Sequence, residues 1–283
     1  VVSEKQISLS FTYHLPFTTK EMLLTIDIGN SFIKFGVFDE ENLVSRFAIP
    51  SADFPTTDRI YSQISSQISR NQFSAIVVSS VVPRISESVR ELGEKIFGFA
   101  PFFVDNMLDF GLKIKYEQPE NLGVDRIVAA FAAAEKYGKP CIVCDFGTAT
   151  TIDAVNSQSE YLGGIITPGI NTLSEALYVK TAKLPRVELA RPPRVIGNST
   201  VSAIQSGIFF GYVGLTEGIL RRMIDELGEK PQVVATGGFA KLIAENCDLV
   251  DTIDEDLMLE GLRLIYSRNS SVNKLEALAK KKK

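Results

Sequence analysis

The sequence has no tryptophan, one histidine, three cysteines and four methionines in 283 residues, and each scarcity weighs against a class of function. With His14 as the only histidine, a serine–histidine triad, a histidine base and a histidine-rich metal site become implausible. Chemistry must then run on carboxylates, lysine, arginine and backbone. Three cysteines in a chain of this length do not make a disulfide framework, which is consistent with a reducing compartment. Cys141 and Cys144 form a C-x-x-C inside KPCIVCDFG. That stretch reads as a strand, where residues three apart face opposite sides and cannot share a zinc ion. Long apolar runs are also missing. SAIQSGIFFGYVGL, from Ser202 to Leu215, carries Ser202, Gln205 and Ser206 and is too short and polar to span a bilayer. Residues 1–21 lack a basic start, a continuous apolar centre and a small-residue cleavage site, so they do not read as a signal peptide, and the expected location is the cytoplasm. A balance of 30 basic against 34 acidic residues, net −4, offers no global attraction to nucleic acid or to an anionic membrane. A small-molecule partner fits better. Finally, there is no G-x-x-x-x-G-K-[ST] and no strand-borne G-x-G-x-x-G, so neither standard phosphate loop is available.

What is present is ample apolar content, 45%, for one large domain or two of ordinary size. The first 21 residues have poor periodicity and read as an N-terminal extension. From Met22 the chain opens with strand patterns, LLTIDIG, FIKFGVFD and LVSRFAIP, joined by tight turns. A helix with Ile60, Ile64 and Ile68 at helical spacing follows, then the strand FSAIVVSSVV, the helix PRISESVRELGEKIF and the short strand PFFVDN. That order is βββαβαβ. The second half repeats it: KPCIVCDFGTA, TTIDAV and YLGGIITPG as strands, NTLSEALYVKTA as a helix, a long helix from about Ser202 to Leu227, then PQVVATGG, LVDTID and the closing helix DLMLEGLRLIYSR. Two halves of one pattern, each led by strand–Asp–x–Gly, argue for duplication. The expected fold is α/β, with mixed sheets in two similar domains around a cleft, at 22–137 and 138–270, followed by a basic tail at 271–283.

The paired motifs are DIGNS at 27–31 and DFGTA at 145–149. An aspartate at the carboxyl end of a central strand lies where open α/β sheets place ligands, and the adjacent glycine lets a ligand approach the backbone. Asn30 and Ser31 in one loop, and Thr148 and Thr150 in the other, offer donors suited to phosphate oxygens. A single D-x-G often makes only a turn; two in matched contexts point to loops that hold a polyphosphate between them. Asp27 would then hold Mg²⁺, directly or through water, and Lys34 would reach a phosphate as a point charge. A third constellation, NLGVDRIVAAFAAAEKYG, puts Asp125 and Arg126 at the start of an alanine-rich helix between the halves. Such an aspartate is often only a cap; at a cleft the pair can serve as a carboxylate base on a hydroxyl and a guanidinium clamp on a carboxylate. In the long helix, Gly207, Gly211, Gly214 and Gly218 line one face, open either to packing within the chain or to a second copy.

In order along the chain, DIGNS, YEQPENLGVDR, DFGTATTID, GGIITPG, NSTVSAIQSGI, ATGG and DEDLMLEGL resemble the motifs of type III pantothenate kinases. These belong to the superfamily of actin, sugar kinases, acetate kinase and heat-shock chaperone ATPases. The resemblance covers Met22 to about Leu262. It implies two duplicated actin-like, ribonuclease H-like ATPase domains. It implies ATP-dependent phosphorylation of pantothenate to 4′-phosphopantothenate, the first step toward coenzyme A, by a homodimer needing Mg²⁺ and a monovalent cation, K⁺ or NH₄⁺. By the same resemblance Asp27, Ile28, Gly29, Asn30, Ser31, Phe32, Ile33 and Lys34 form the first ATP loop, and Thr148 is a further ATP contact. Asp145 corresponds to the monovalent-cation ligand and Asp125 to the catalytic base. Tyr116, Gly123, Val124, Arg126 and Thr200 fall where the family contacts pantothenate. Ser31 departs from the family's usual threonine but keeps the hydroxyl. The alternatives are a kinase for another small hydroxylated or carboxylate metabolite, which would lack the GVDR context, or a non-catalytic transcription accessory relative on the same fold.

Overall fold

The computed structural model describes residues 22–66 and 73–280, the last ten as backbone alone. His14, the expected N-terminal extension and Ile68 lie outside the described residues. Strands β1 (Met22–Ile28), β2 (Phe32–Asp39) and β3 (Asn42–Pro50) form an antiparallel meander. Helix α1 (Thr57–Ile64) leads to β4 (Phe73–Ser80), and α2 (Pro83–Leu92) leads to β5 (Phe102–Phe103). Both strands are parallel additions, which gives the order β3-β2-β1-β4-β5.

A two-residue strand, β6 (Lys113–Ile114), then pairs with β9 of the second sheet, so the chain has already crossed over before the expected boundary at residue 137. Helix α3 (Val124–Tyr137) precedes a second meander, β7 (Cys141–Phe146), β8 (Ala149–Val155) and β9 (Glu160–Pro168). Next come α4 (Ile170–Lys180), α5 (Thr200–Leu227), β10 (Gln232–Thr236), α6 (Ala240–Ala244), β11 (Thr252–Ile253) and α7 (Leu257–Lys280). The second sheet runs β11-β10-β7-β8-β9-β6. Apart from β6 it repeats the first strand for strand, with the same parallel and antiparallel pairings. The duplication is therefore one of topology as well as motif. Residues 271–280, expected as a tail, continue α7 as helical backbone.

The continuous apolar runs of β1 and β7 follow from burial on both faces. Leu24, Ile26 and Ile28 enter the core beneath α1 and α2, whereas Leu23 enters the central core. In β7, Cys141 and Val143 face the central core, while Ile142, Cys144 and Phe146 face the core beneath α5 and α6. The two thiols thus lie on opposite faces of one sheet, as the spacing requires. The central core joins both sheets through α3 and α7. Helix α3 is buried nearly all round, from Arg126 to Ala134, which explains its alanine content: small side chains let two neighbours close in. Gly261 of α7 completes that approach, because a Cβ there would lie 2.9 Å from Val128 Cγ1 and 3.1 Å from the Val128 carbonyl oxygen.

Candidate active site

The first loop follows β1, whose last two residues are Asp27 and Ile28. Gly29 N–H donates to the Phe32 carbonyl at 3.0 Å and closes the turn. Ser51 braces it from β3's end: its hydroxyl donates to the Gly29 carbonyl at 2.7 Å and its N–H to the Ser31 carbonyl at 3.0 Å. Strand pairing sets Lys34 directly opposite Asp27, so amine and carboxylate share one face of the sheet. Asn30, Ser31 and Phe32 are exposed, whereas Ile28 and Ile33 are fully buried in the first core. Of the eight residues Asp27 to Lys34, then, those two can offer a ligand only their backbone.

The second loop is built alike from β7 and β8. Gly147 N–H donates to the Ala149 carbonyl at 3.1 Å, while Gly169 N–H and Thr172 Oγ1 donate to the Thr148 carbonyl at 3.0 and 2.7 Å. Beneath it the Tyr212 hydroxyl of α5 lies 2.6 Å from Thr150 Oγ1 and 3.1 Å from the Pro168 carbonyl oxygen, within hydrogen-bond reach of both. The ATGG turn crosses behind Asp145: Gly237 has φ +92°, and a Cβ there would collide with Asp145 Oδ1. The two loops meet directly, Ser31 Oγ lying 2.6 Å from Thr148 Oγ1. Two hydroxyls 117 residues apart in sequence thus bridge the halves, where the repeated motifs predicted facing loops.

Asp125 enters from α3. Gly123 precedes the helix, and the Asp125 carboxylate folds back over its start to accept the Arg126 N–H at 2.9 Å. A Cβ on Gly123 would stand 2.5 Å from Asp125 Oδ1, so glycine is needed for this pose. Asn106 steadies the approach, its side-chain amide donating to the Pro119 and Leu122 carbonyls at 2.7 and 3.1 Å. Val124 packs against the central core. Arg126 is buried, its Nη1 donating to Tyr116 Oη at 3.4 Å, with the guanidinium carbon 5.7 Å from that ring's centroid. Thr200 is exposed at the first position of α5, behind the Ser199–Ser202 capping box. No hydrogen bond among the described residues joins it to Asp125, Arg126 or Tyr116.

Asp125 acts on both Asp27 and Asp145, and Asp145 acts on Asp27, which places the three carboxylates in a common field. Burial pushes Asp27 up to about 6, and the charges of Asp145 and Asp125 add to it against the opposing pull of Lys34. Asp145 is raised by burial and then by Asp125 and Asp153, with Lys34 again opposing. Asp125 is raised by burial and by Asp153, although the Arg126 N–H and charge hold it back. A cation bound here would relieve this repulsion. Among the described residues no three His, Cys, Asp or Glu side chains cluster closely enough to hold a metal by themselves. An oxygen-seeking cation would have to complete its shell with phosphate oxygens and water, as magnesium commonly does.

Some residues of this region are not singled out by the motifs: Ser51, Asn106, Asp153, Tyr161, Tyr212 and Gly237. Asp153 ends DFGTATTID and Gly237 lies in ATGG, so two of them sit inside recognised motifs. In the second half, α4 and α5 flank an open groove of about 640 Å³, lined by Leu173, Ala176 and Leu177 with Gly207, Gly211 and Leu215. Among the described residues, a Cβ on Gly207, Gly211 or Gly214 would meet no atom within 4 Å, so no described side chain packs against these glycines.

Comparison with known proteins agrees with the motifs. A family model of type III pantothenate kinase matches residues 23–222. The chain is 45% identical over 254 residues to the type III pantothenate kinase of Citrifermentans bemidjiense, covering 88% of this chain and 100% of that protein. The type III pantothenate kinase of a Geobacter strain gives the same identity and coverage. A solved Campylobacter jejuni structure described as a Baf family transcriptional activator shares the fold, with TM-score 0.56 and 23% identity over 88% of this chain and 99% of that one. The facing D-x-G loops, the carboxylate-bearing central helix and a match over most of the chain lead to one assignment: this protein belongs to the type III pantothenate kinase family.

Proposed function

We infer that this chain transfers the terminal phosphoryl group of ATP to the primary hydroxyl of pantothenate, the opening step of coenzyme A biosynthesis. The observation that carries the reading is Asp125. Its carboxylate is held at the start of the helix between the halves, in the electrostatic reach of Asp27 and Asp145, with its proton affinity raised by burial. A base in that state can take a hydroxyl proton as the oxygen attacks phosphorus. Arg126 and Tyr116 engage the pantothenate carboxylate, Gly123 and Val124 shape the floor beside them, and Thr200 is assigned to pantothenate from the NST motif. The backbone of residues 27–33, the Ser31 and Thr148 hydroxyls and Lys34 hold the ATP phosphates.

Asp27 would hold Mg²⁺, and Asp145 a monovalent cation, K⁺ or NH₄⁺; when bound, these supply positive charge to the phosphoryl oxygens. The protein works as a cytoplasmic homodimer, without nucleic-acid or membrane partners. Support for the dimer comes from the unpacked glycine face of α5 and from the exposed Leu177, Tyr178 and Val179 of α4 beside it. The deciding experiment is coupled ADP release with Asp125→Asn, which keeps shape but removes the base. Turnover should fall by roughly 10²–10⁴-fold, and unaltered turnover at saturating ATP and pantothenate would sink the assignment. Wild-type ADP release with sugars or acetate but not with pantothenate would point to a kinase for another metabolite. No ADP release with any acceptor would point to a non-catalytic relative.

A further inference from the structure

Behind Arg126 lies a polar cluster that the motifs leave without a role. Asp153 of β8 is 1% exposed and receives Arg126 through a two-point contact, Nη2 to Oδ1 at 2.6 Å and Nε to Oδ2 at 3.2 Å. The fully buried Tyr161 of β9 donates its hydroxyl to the same Oδ1 at 2.7 Å. Gly164 stands opposite Asp153 in the β8–β9 pairing, and a Cβ there would collide with the Ile152 carbonyl and lie 2.8 Å from Asp153 Oδ1. The carboxylate is thus held by two side chains, and the absence of a Cβ at Gly164 leaves it room.

A buried ion pair is a poor way to stabilise a core, since apolar side chains of equal volume usually serve as well or better. A function is the better reason to keep one beside the reacting carboxylate. The guanidinium is a rigid fork of five donors. With its Nε–Nη2 edge occupied, its Nη1 donates to the Tyr116 hydroxyl. We propose that Asp153 and Tyr161 are positioning residues, which hold the Arg126 fork so that Nη1 and the Tyr116 hydroxyl face the substrate carboxylate together. This rests on Arg126 and Tyr116 binding that carboxylate, as set out above.

The test is steady-state kinetics on Asp153→Asn and Tyr161→Phe, with pantothenate and with its carboxamide analogue. Loss of a charge-assisted contact behind Arg126 should raise the pantothenate KM roughly tenfold in Asp153→Asn, and roughly threefold in Tyr161→Phe. The KM for ATP should stay within about twofold in both. With the carboxamide, which offers Arg126 no charge, the difference between wild type and variants should largely vanish. A rise shared equally by pantothenate, carboxamide and ATP would overturn the proposal, because a purely structural role moves all three. Should Asp153→Asn fail to fold, Tyr161→Phe decides, since it leaves the ion pair in place. An unchanged pantothenate KM there would then count against the proposal. Arg126→Lys separates the two levels of inference. A pantothenate KM unaltered in Arg126→Lys removes the Arg126 assignment itself, whereas a rise there with none in the Asp153 and Tyr161 variants removes only the positioning role.

Discussion

Replacing Asp27 by asparagine should make the free protein more stable while stopping its chemistry. Asp27 is 8% exposed, and burial with the neighbouring charges of Asp145 and Asp125 lifts it from 3.8 to about 6. A folded-state value above the unfolded one means that the folded chain binds the proton more tightly. Ionisation at neutral pH therefore works against folding. A shift of this size corresponds to roughly 3 kcal/mol of destabilisation above about pH 7, fading as pH falls through the folded value of about 6 and lost only below the unfolded value of 3.8, where both states are protonated. Asparagine has the carboxylate's shape and no charge. Thermal unfolding of Asp27→Asn without nucleotide or metal should rise by about 5 °C at pH 8, since roughly 2 °C accompanies each kcal/mol in a chain of this length. At pH 5 the gain should shrink to roughly half, and by about pH 3 it should nearly disappear. ADP release by the same variant should fall at least about a hundredfold, because the carboxylate proposed to hold Mg²⁺ beside the phosphates is lost. A variant that melts at or below wild type at pH 8, or whose advantage does not change between pH 8 and pH 5, would refute the account of the carboxylate field.

Gly237→Ala forces a side chain into a φ of +92° and against the Asp145 carboxylate. It should lose roughly 2 kcal/mol in urea unfolding and raise the potassium concentration needed for half-maximal activity. Gly211→Leu has open space for its side chain, so the subunit should fold normally but sediment as a monomer; a dimer retained at micromolar concentration would remove α5 from the interface. Burial pushes the Cys141 thiol up to about 12 and raises those of Cys144 and Cys247. The native protein should therefore stay unlabelled by a disulfide-exchange reagent at pH 8 and show all three thiols only on unfolding.

The sheets were legible because their central strands are buried on both faces and so read as unbroken apolar runs, and the loops were legible because their chemistry is local. Asp27, Gly29 and Ser31 stand within five residues, as do Gly123, Asp125 and Arg126. Two short elements were not. Lys113–Ile114 and Ala240–Ala244 are too brief to show a period, and β6 exists only because β9 offers an edge. Ser51 and Asn106 act by bonding carbonyls of distant turns, and a lone serine or asparagine beside a turn looks the same whether or not it braces a site. Asp153 was hidden differently. Within TTIDAV it is one more residue of a strand, and only the fold brings it to Arg126, 27 positions earlier. Motif contiguity also misleads in one respect: Ile28 and Ile33 belong to the phosphate-loop motif, yet strand alternation turns their side chains into the core.

The two loops differ where strand pairing sets a side chain opposite each aspartate. Across from Asp27 stands Lys34; across from Asp145 stands Thr151. Residues directly opposite on one face have Cβ atoms about 5 Å apart, close enough for the lysine to offset much of its partner's charge. Asp145 has no such neighbour in its own half and feels Lys34 only from the facing loop, which gives a physical reason why one copy of a duplicated loop would take up an external monovalent cation and the other would not. The asymmetry can be reversed. Thr151 is half-buried at the cleft, so Thr151→Lys places an ammonium beside Asp145 in the position that Lys34 occupies beside Asp27. The variant should turn over more slowly than wild type in potassium, because the lysine takes space as well as supplying charge. Its rates in potassium and sodium should nonetheless converge to within about twofold, since a tethered cation then substitutes for the dissolved one. Potassium activation as steep in Thr151→Lys as in wild type would show that the charge opposite Asp145 is not what sets the requirement.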